Sequence, residues 1–549
     1  MDTMVARSSD RGADPSGGDP CAPAGAATPS FRAPSAPPQP FRSILFDGSD
    51  ASSTIAETVS PDVLSDLNID QIVNAITAGR DEYDLKPFFF SPLHDVEAIH
   101  YRHAILRDLE NPALFGQVQT FAKQMRAMRD HLAKAAKRYY VLQKQRWFLD
   151  AVDIYCEAVG QLARDLTDAE LRSRGFQALR DHLAAHTESE GFTTLRAETE
   201  RLQEGLAAVR YCLRIKGNRI TVAHYESEAD YSEDVLGTFE KFRQGAPKER
   251  RFTFPSGPDM DHVEAAILER VARLYPELFS SLGEYCRQHR NYLDPTIARF
   301  DREVQFYVSY LDHIGRLKPT GLAFCYPDVT DRSKEVCGRE VFDLALADRL
   351  VRKGAPVVAN DFYLKDAERI IVVTGPNQGG KTTFARTFGQ LHHLASIGCP
   401  VPGREARLFL FDRLLTHFDR EEDLQNQRSK LEDDLVRMRE ILARATSRSI
   451  LIMNESLSST TLSDALFLGR EILGHVIERD LLSVSVTFLD ELTSLGDATV
   501  SMVSTVDPDD PARRTYKILR SPANGLAYAI AIAEKYHLTY EGVRRRVGT

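Results

Sequence analysis

A glycine-rich run in the carboxyl-terminal half has the residue types needed to hold a chain of phosphates. Residues 375–382 match G-x-x-x-x-G-K-[ST] at every fixed position, between a β-branched run at 370–374 and a segment of helical period. Such glycines let backbone N–H groups turn toward a phosphate at a helix amino terminus. Lys381 would reach the β- and γ-phosphates, and the Thr382 hydroxyl would bind Mg²⁺. The alternative is a chance glycine-rich turn.

A second candidate lies at the end of another apolar run. Residues 450–455 read Ile-Leu-Ile-Met-Asn-Glu, so that Asn454 and Glu455 follow a strand. Glu455 has the chemistry of a general base or water-orienting group. Asn454 stands where an Asp would face Mg²⁺, and its amide keeps an acceptor oxygen but lacks the charge, which weakens metal binding. The alternative is a strand end with a solvated carboxylate.

The elements that must position these residues alternate between strand and helix. Strands are predicted at 370–374, 449–453 and 481–488, and helix from residue 383 onward. Strands that alternate with helices favour a doubly wound parallel sheet.

The run TGPNQGGKTT at residues 374–383 resembles the Walker A sequence of the MutS family, TGPNxxGKST. Other segments keep the order and approximate spacing of the family pattern, over residues 340 to 545. They are 357–361, ending in Asn-Asp; 429–434; 445–446; Asn454-Glu455; 459–461 with Asp464; and 524–534.

The resemblance implies an α/β P-loop NTPase domain of the ABC-type ATPase class at the carboxyl end, preceded by a mainly α-helical core, lever and clamp region. It implies a homodimer that binds ATP and Mg²⁺, with Glu455 and Lys381 in catalysis and Thr382 and Asn454 at the metal. Ser429 matches a serine that faces the partner's γ-phosphate; the alternative is a helix N-cap. The implied nucleotide-binding residues are Gly375, Pro376, Asn377, Gln378, Gly379, Gly380, Lys381, Thr382, Thr383 and Ser429.

Three positions depart from the family pattern. Lys430-Leu431 replaces the Thr-Phe of STF, Thr487-Phe488 replaces a Thr-His pair that senses the γ-phosphate, and Val357 replaces a common adenine-stacking aromatic residue. These departures, together with Asn454, predict secure ATP binding but weak Mg²⁺-dependent hydrolysis.

The sequence divides into four predicted regions. Residues 1–40 are rich in Pro, Ala and Gly and are predicted to be a disordered tail, 41–118 the start of a helical core, 119–335 the lever and clamp arms, and 336–549 the ATPase and dimerisation domain. Residues 214–253 are compatible with strands or with the tip of a long hairpin. No Phe is followed two residues later by Glu, so the mismatch-reading Phe-x-Glu motif is absent, and a shortened, divergent relative is predicted.

Basic residues between 123 and 146 form a candidate DNA-facing surface, with one acid, Asp130, among them and the aromatic Tyr139, Tyr140 and Trp147 interleaved. The alternative is a solvated helix face. The cations are Lys123, Arg126, Arg129, Lys134, Lys137, Arg138, Lys144 and Arg146. A weaker candidate comprises Lys216, Arg219, Lys248, Arg250 and Arg251.

Composition bounds the function further. The net charge is −10, and no apolar run approaches the length of a membrane span, so a membrane partner is not expected. Seven scattered cysteines without CxxC spacing argue against a disulfide framework or zinc site and predict a cytoplasmic protein. The predicted function is an ATP-switched homodimer on duplex or branched DNA, in repair or recombination. The alternatives are an ATP-gated DNA clamp or scaffold with negligible hydrolysis, and an RNA- or ribosome-associated ATPase.

Overall fold

The computed structural model describes residues 41–47, 58–217, 219–227, 260–420, 429–507 and 513–523. These residues form two compact units: one comprises 42–107 and 302–523, and the other comprises Phe41 and 108–301. The predicted tail (1–40), the segment 524–534 and the basic residues Lys248, Arg250 and Arg251 lie outside the described residues.

Helices and strands are numbered in chain order. The helices are α1 (Pro61–Asp66), α2 (Ile69–Thr77), α3 (Lys86–Phe90), α4 (Val96–Leu109), α5 (Pro112–Lys137), α6 (Val141–Asp168), α7 (Arg174–Glu188), α8 (Glu190–Ala207), α9 (His262–Leu274), α10 (Pro276–Gln288), α11 (Pro295–Leu317), α12 (Leu344–Arg352), α13 (Lys381–Ser396), α14 (Lys430–Arg444) and α15 (Leu462–Glu478). The strands are β1 (Tyr211–Lys216), β2 (Arg219–His224), β3 (Phe324–Cys325), β4 (Asp328–Thr330), β5 (Val336–Val341), β6 (Asn360–Leu364), β7 (Ile370–Thr374), β8 (Val401–Pro402), β9 (Glu405–Phe409), β10 (Leu414–Phe418), β11 (Ile450–Asn454), β12 (Leu482–Val486), β13 (Thr499–Val506) and β14 (Arg514–Arg520).

A six-stranded sheet carries the candidate site. Its strand order is β10-β11-β12-β7-β13-β14. The first five strands run parallel, as predicted, and β14 adds an antiparallel edge that the sequence analysis did not predict, so the sheet is mixed. Every residue of β7, β11 and β12 is buried. Such fully buried, largely apolar strands suit a parallel sheet because both of its faces are covered.

The same unit contains a second, four-stranded sheet, of order β4-β9-β5-β6.

Early and late parts of the chain also contact each other in this unit. The Arg386 guanidinium on α13 donates to the Asp66 carbonyl, and the Gln390 amide donates to the Leu67 carbonyl. These bonds fix α1 and α2 against the helix that follows the glycine-rich run.

The other unit is mainly helical, as predicted for the middle of the chain. Helices α5 and α6 form a long antiparallel hairpin, joined by the three residues 138–140. The sequence left open whether residues 214–253 contain strands or a hairpin tip. In part of this segment, β1 and β2 form an antiparallel hairpin, in which Tyr211 pairs with His224 at one end and Lys216 pairs with Arg219 at the other.

None of the described helices is long and apolar enough to cross a membrane. Cys337 is disulfide-bonded, whereas the scattered cysteines had argued against a disulfide framework. Within the described residues, five other cysteines are free: Cys156, Cys212, Cys286, Cys325 and Cys399.

Candidate nucleotide site

The glycine-rich run forms the turn between the buried strand β7 and helix α13. Gly375 and Gly380 have φ of +113° and +93°, values that residues with a side chain rarely adopt. Gly380 is the N-cap of α13 and makes no side-chain capping bond. The first N–H groups of α13 are therefore left to a ligand or to solvent, the arrangement that suits an anion at a helix amino terminus.

Close approach to β13 explains why glycine is needed at two loop positions. A Cβ on Gly379 would lie 2.1 Å from the Ser504 hydroxyl, and one on Gly375 would lie 2.9 Å from the Ser504 carbonyl. The Ser504 hydroxyl donates to the Gly379 carbonyl at 2.7 Å. Ser504, which the sequence analysis missed, therefore holds the loop in place from a neighbouring strand.

Substitution of Gly379 by alanine is expected to weaken ATP binding, because the new methyl group forces the loop away from β13. Overpacking of this kind costs about 1–3 kcal/mol. Isothermal titration with ATP checks the effect. Wild-type affinity in Gly379→Ala would contradict the steric explanation.

Lys381 is buried at the start of α13 and points back into the loop. Its ammonium donates to the carbonyls of Gly375 at 2.9 Å and Pro376 at 3.1 Å, and to Asn377 Oδ1 at 3.3 Å. Burial lowers the pKa of Lys381, while the Glu455 carboxylate opposes that shift. The positive charge is thus held among acceptors of the loop, next to the free amino end of the helix.

Arg514 on β14 brings a second cation to the loop, and the sequence analysis did not identify it. Its Nε donates to the Asn377 carbonyl at 3.2 Å, and its charge contributes to lowering the pKa of Lys381. Asn360 on β6 anchors this strand, since its side chain donates to the Tyr516 carbonyl and accepts from the Ile518 N–H. Two cations, Lys381 and Arg514, therefore contact acceptors of the loop.

Asn454 and Glu455 lie at the same edge of the sheet as the loop. The register pairs Asn454 with Val486 and Val486 with Val373, so that β11, β12 and β7 end side by side. Glu455 is half-buried at φ +52°, and its N–H donates to the Val486 carbonyl at 2.9 Å. This left-handed backbone costs about 1–2 kcal/mol in a residue with a side chain, and such strain concentrates at functional positions.

The Asn454 side chain has the burial and the unpartnered oxygen expected of a metal ligand. Its side chain is only 9 % exposed, and its Oδ1 has no hydrogen-bond partner. A buried carbonyl oxygen without a partner is costly unless a cation or water fills the position, and such oxygens are ligands that Mg²⁺ accepts. Thr382, in the first turn of α13, supplies the hydroxyl that the motif assigns to the same ion.

Substitution of Asn454 by aspartate is expected to lower the half-saturating Mg²⁺ concentration for phosphate release about tenfold. A charge about 4 Å from a divalent ion contributes several kcal/mol before the cost of burying the carboxylate is subtracted. A hydroxyl bonded to the Asn454 amide would make the site less suited to aspartate, but the two nearby hydroxyls have other partners. The Ser456 hydroxyl bonds His417, and the Thr487 hydroxyl accepts from the Leu489 N–H. Titration of Mg²⁺ in wild type, Asn454→Asp and the exposed control Asn291→Asp checks it; an unchanged half-saturation point would mean that residue 454 does not face the metal.

A buried histidine supports the turn that carries Glu455. His417 Nδ1 lies 2.8 Å from the Ser456 hydroxyl, and its Nε2 lies 3.1 Å from the Asp434 carbonyl. Burial lowers the pKa of His417 to about 4, so the ring is neutral near pH 7. The sequence analysis missed this bridge, because it joins residues on β10, on α14 and in the turn after β11.

The remaining candidates occupy helix starts or strand ends. Ser429 is the N-cap of α14, where its hydroxyl accepts from the Glu432 N–H at 3.3 Å, in agreement with the alternative stated above. Its role toward a partner subunit stays a prediction. Thr461 caps α15 by accepting from the Asp464 N–H. Phe488, in place of the switch histidine, is 53 % exposed.

The fold and this edge of the sheet define a mixed α/β domain with a glycine-rich loop at a helix amino terminus. Residues 371–544 match the family MutS domain V. The chain is 25 % identical over 436 residues to the DNA mismatch repair protein MutS of Thermotoga neapolitana, covering 78 % of this chain and 49 % of that protein. It is 27 % identical over 308 residues to the DNA mismatch repair protein MutS of Thermotoga maritima, covering 54 % and 35 %. The chain is therefore similar to MutS proteins, with MutS domain V at residues 371–544. It spans about half the length of the Thermotoga neapolitana protein and about a third of the Thermotoga maritima protein.

Proposed function

We propose that this chain is a Mg²⁺-dependent ATPase with a P-loop NTPase fold, which uses ATP to switch a DNA-binding homodimer. The observation that carries the proposal is the meeting of three groups at one sheet edge: the buried Lys381, the unpartnered Asn454 oxygen and the strained Glu455. The relatives are named DNA mismatch repair proteins, and we extend a role in DNA repair or recombination to this chain as part of the proposal.

Each group has a task in this proposal. The loop residues 375–380, with Thr382 and Thr383, present backbone N–H groups and hydroxyls to the phosphates, and Lys381 neutralises their charge. Bound Mg²⁺ would neutralise charge that develops on the transferring phosphoryl group. Glu455 accepts a proton from, or orients, the attacking water, and Asn454 holds the metal through a neutral oxygen.

A second candidate function is an ATP-gated DNA clamp or scaffold with negligible hydrolysis. Two observations favour it: the amide of Asn454 in place of a carboxylate, and the exposed Phe488 in place of a histidine. Glu455 argues against it, because a scaffold has no need for a strained carboxylate beside the phosphate loop.

A binding screen tests the proposal as a whole. The full chain is titrated against duplex, mismatched, branched and single-stranded DNA and against structured RNA, each with and without ATP and Mg²⁺. We expect the affinity for DNA to change when ATP is added. Light scattering should show a homodimer, with twice the mass of one chain. Binding to structured RNA alone would favour the ribosome- or RNA-associated alternative, and absence of any ATP effect would overturn the switch.

A further inference from the structure

The connection between α5 and α6 carries the most exposed large hydrophobic side chain of the described residues. Tyr139 is 87 % exposed, and Val141 beside it is 64 % exposed. The Tyr139 and Tyr140 rings lie 5.2 Å apart at 88°, an edge-to-face pair. Burial of an aromatic ring is favourable, so a ring held at the tip of a hairpin is available to a partner.

The tip of this hairpin, residues 138–140, is held in place by contacts with a tryptophan. The Arg138 guanidinium and the Lys134 ammonium each lie 5.4 Å from the Trp147 ring centre, and the His131 ring packs 4.9 Å from the same tryptophan. Cation–π contacts of this kind stabilise by about 0.5–2 kcal/mol each. The three-residue connection is therefore fixed to both helices, and Tyr139 projects from a firm base.

Positive charge surrounds the tip. Residues 131–149 contain five Lys and Arg residues and no Asp or Glu. On α5, three exposed lysines and one acid, Asp130, share one face, in a stripe about 21 Å long at 1.5 Å per residue. The lysines of this stripe are Lys123, Lys134 and Lys137. Not every cation nearby belongs to it: Arg129 is ion-paired with Asp301, Arg146 with Asp150, and Arg138 is buried.

We infer that this tip stacks on an unpaired base of a nucleic acid while the stripe on α5 contacts the adjacent phosphates. The inference rests on the proposed nucleic-acid binding and names the structural feature that is bound. An aromatic ring flanked by lysines fits single strands and strand ends, because every base offers a face to stack on once it leaves the duplex. In an intact duplex the base faces are already stacked, so the ring would gain nothing without unstacking the bases.

The test compares a 5′-labelled 20-nucleotide oligo(dT), a 20-base-pair blunt duplex and the same duplex with a single-stranded overhang, by fluorescence anisotropy with the full chain. Tyr139→Ala should weaken binding of the single strand and the overhang about tenfold, within the range of one lost base stack. Binding to the blunt duplex should stay within twofold. Tyr139→Phe should retain wild-type affinity, because it keeps the ring. As a control, Phe467→Ala removes another exposed aromatic ring, on α15, and should leave binding unchanged.

The outcomes separate this inference from the proposed function. Equal affinity of wild type and Tyr139→Ala for the overhang, with duplex binding intact, overturns the inference alone. No binding to any nucleic acid overturns both. Binding of wild type, but not Tyr139→Ala, to vesicles of phosphatidylserine and phosphatidylcholine without binding to nucleic acid would assign the tip to a lipid surface and also overturn the inference. Because Tyr139 is exposed, an unchanged melting temperature is expected for both variants.

Discussion

Replacing Lys381 by alanine is expected to abolish ATP binding. The ammonium makes two short bonds to loop carbonyls, and the phosphate oxygens of ATP would take over these bonds with a favourable charge. Hydrogen bonds to charged groups contribute about 1.5–3 kcal/mol each, so the loss of two predicts at least about a hundredfold weaker binding. Isothermal titration of Lys381→Ala with ATP and Mg²⁺ measures it directly.

The matched control is Lys353→Ala, which removes an exposed lysine from the same unit. Arg514→Ala is informative beside it, because that cation contacts the loop through the Asn377 carbonyl and should have a smaller effect. Retained ATP affinity in Lys381→Ala would refute the assignment of residues 375–382 as a phosphate-binding loop.

Local patterns were sufficient to predict the centre of this site. The strand at 370–374 is where the β-branched run placed it, and the strands predicted at 449–453 and 481–488 are observed at Ile450–Asn454 and Leu482–Val486. Helix α13 begins at Lys381, two residues before the predicted start. Apolar runs between glycine-rich turns report burial on both faces of a sheet, and that signal is local.

What the sequence analysis missed depends on the order of strands in space. Ser504 meets Gly379 across 125 residues, and Arg514 meets Asn377 across 137. Nothing in the residues around 504 or 514 indicates a partner in the loop, because the pairing exists only once β13 lies beside β7 and β14 lies beside β13. The hydrogen bonds from α13 to Asp66 and Leu67 are equally non-local.

Replacing Glu455 by glutamine is expected to stop steady-state phosphate release while ATP binding is kept within a few-fold. The amide has nearly the same shape but cannot accept a proton, and general-base catalysis contributes about 10²- to 10⁴-fold in rate. Phosphate release by wild type, Glu455→Gln and the exposed control Glu478→Gln, each with saturating ATP and Mg²⁺, measures the effect.

The structure explains why this comparison separates ATPase from scaffold. Glu455 is held at positive φ by a backbone bond to Val486, and the next residue, Ser456, is fixed by His417. Glutamine keeps these constraints, since none of them uses the carboxylate. A fall in rate would therefore come from lost chemistry and not from a disordered turn. Rates that cannot be distinguished between wild type and Glu455→Gln would mean that the strained carboxylate does no hydrolytic work, and only the clamp or scaffold function would remain.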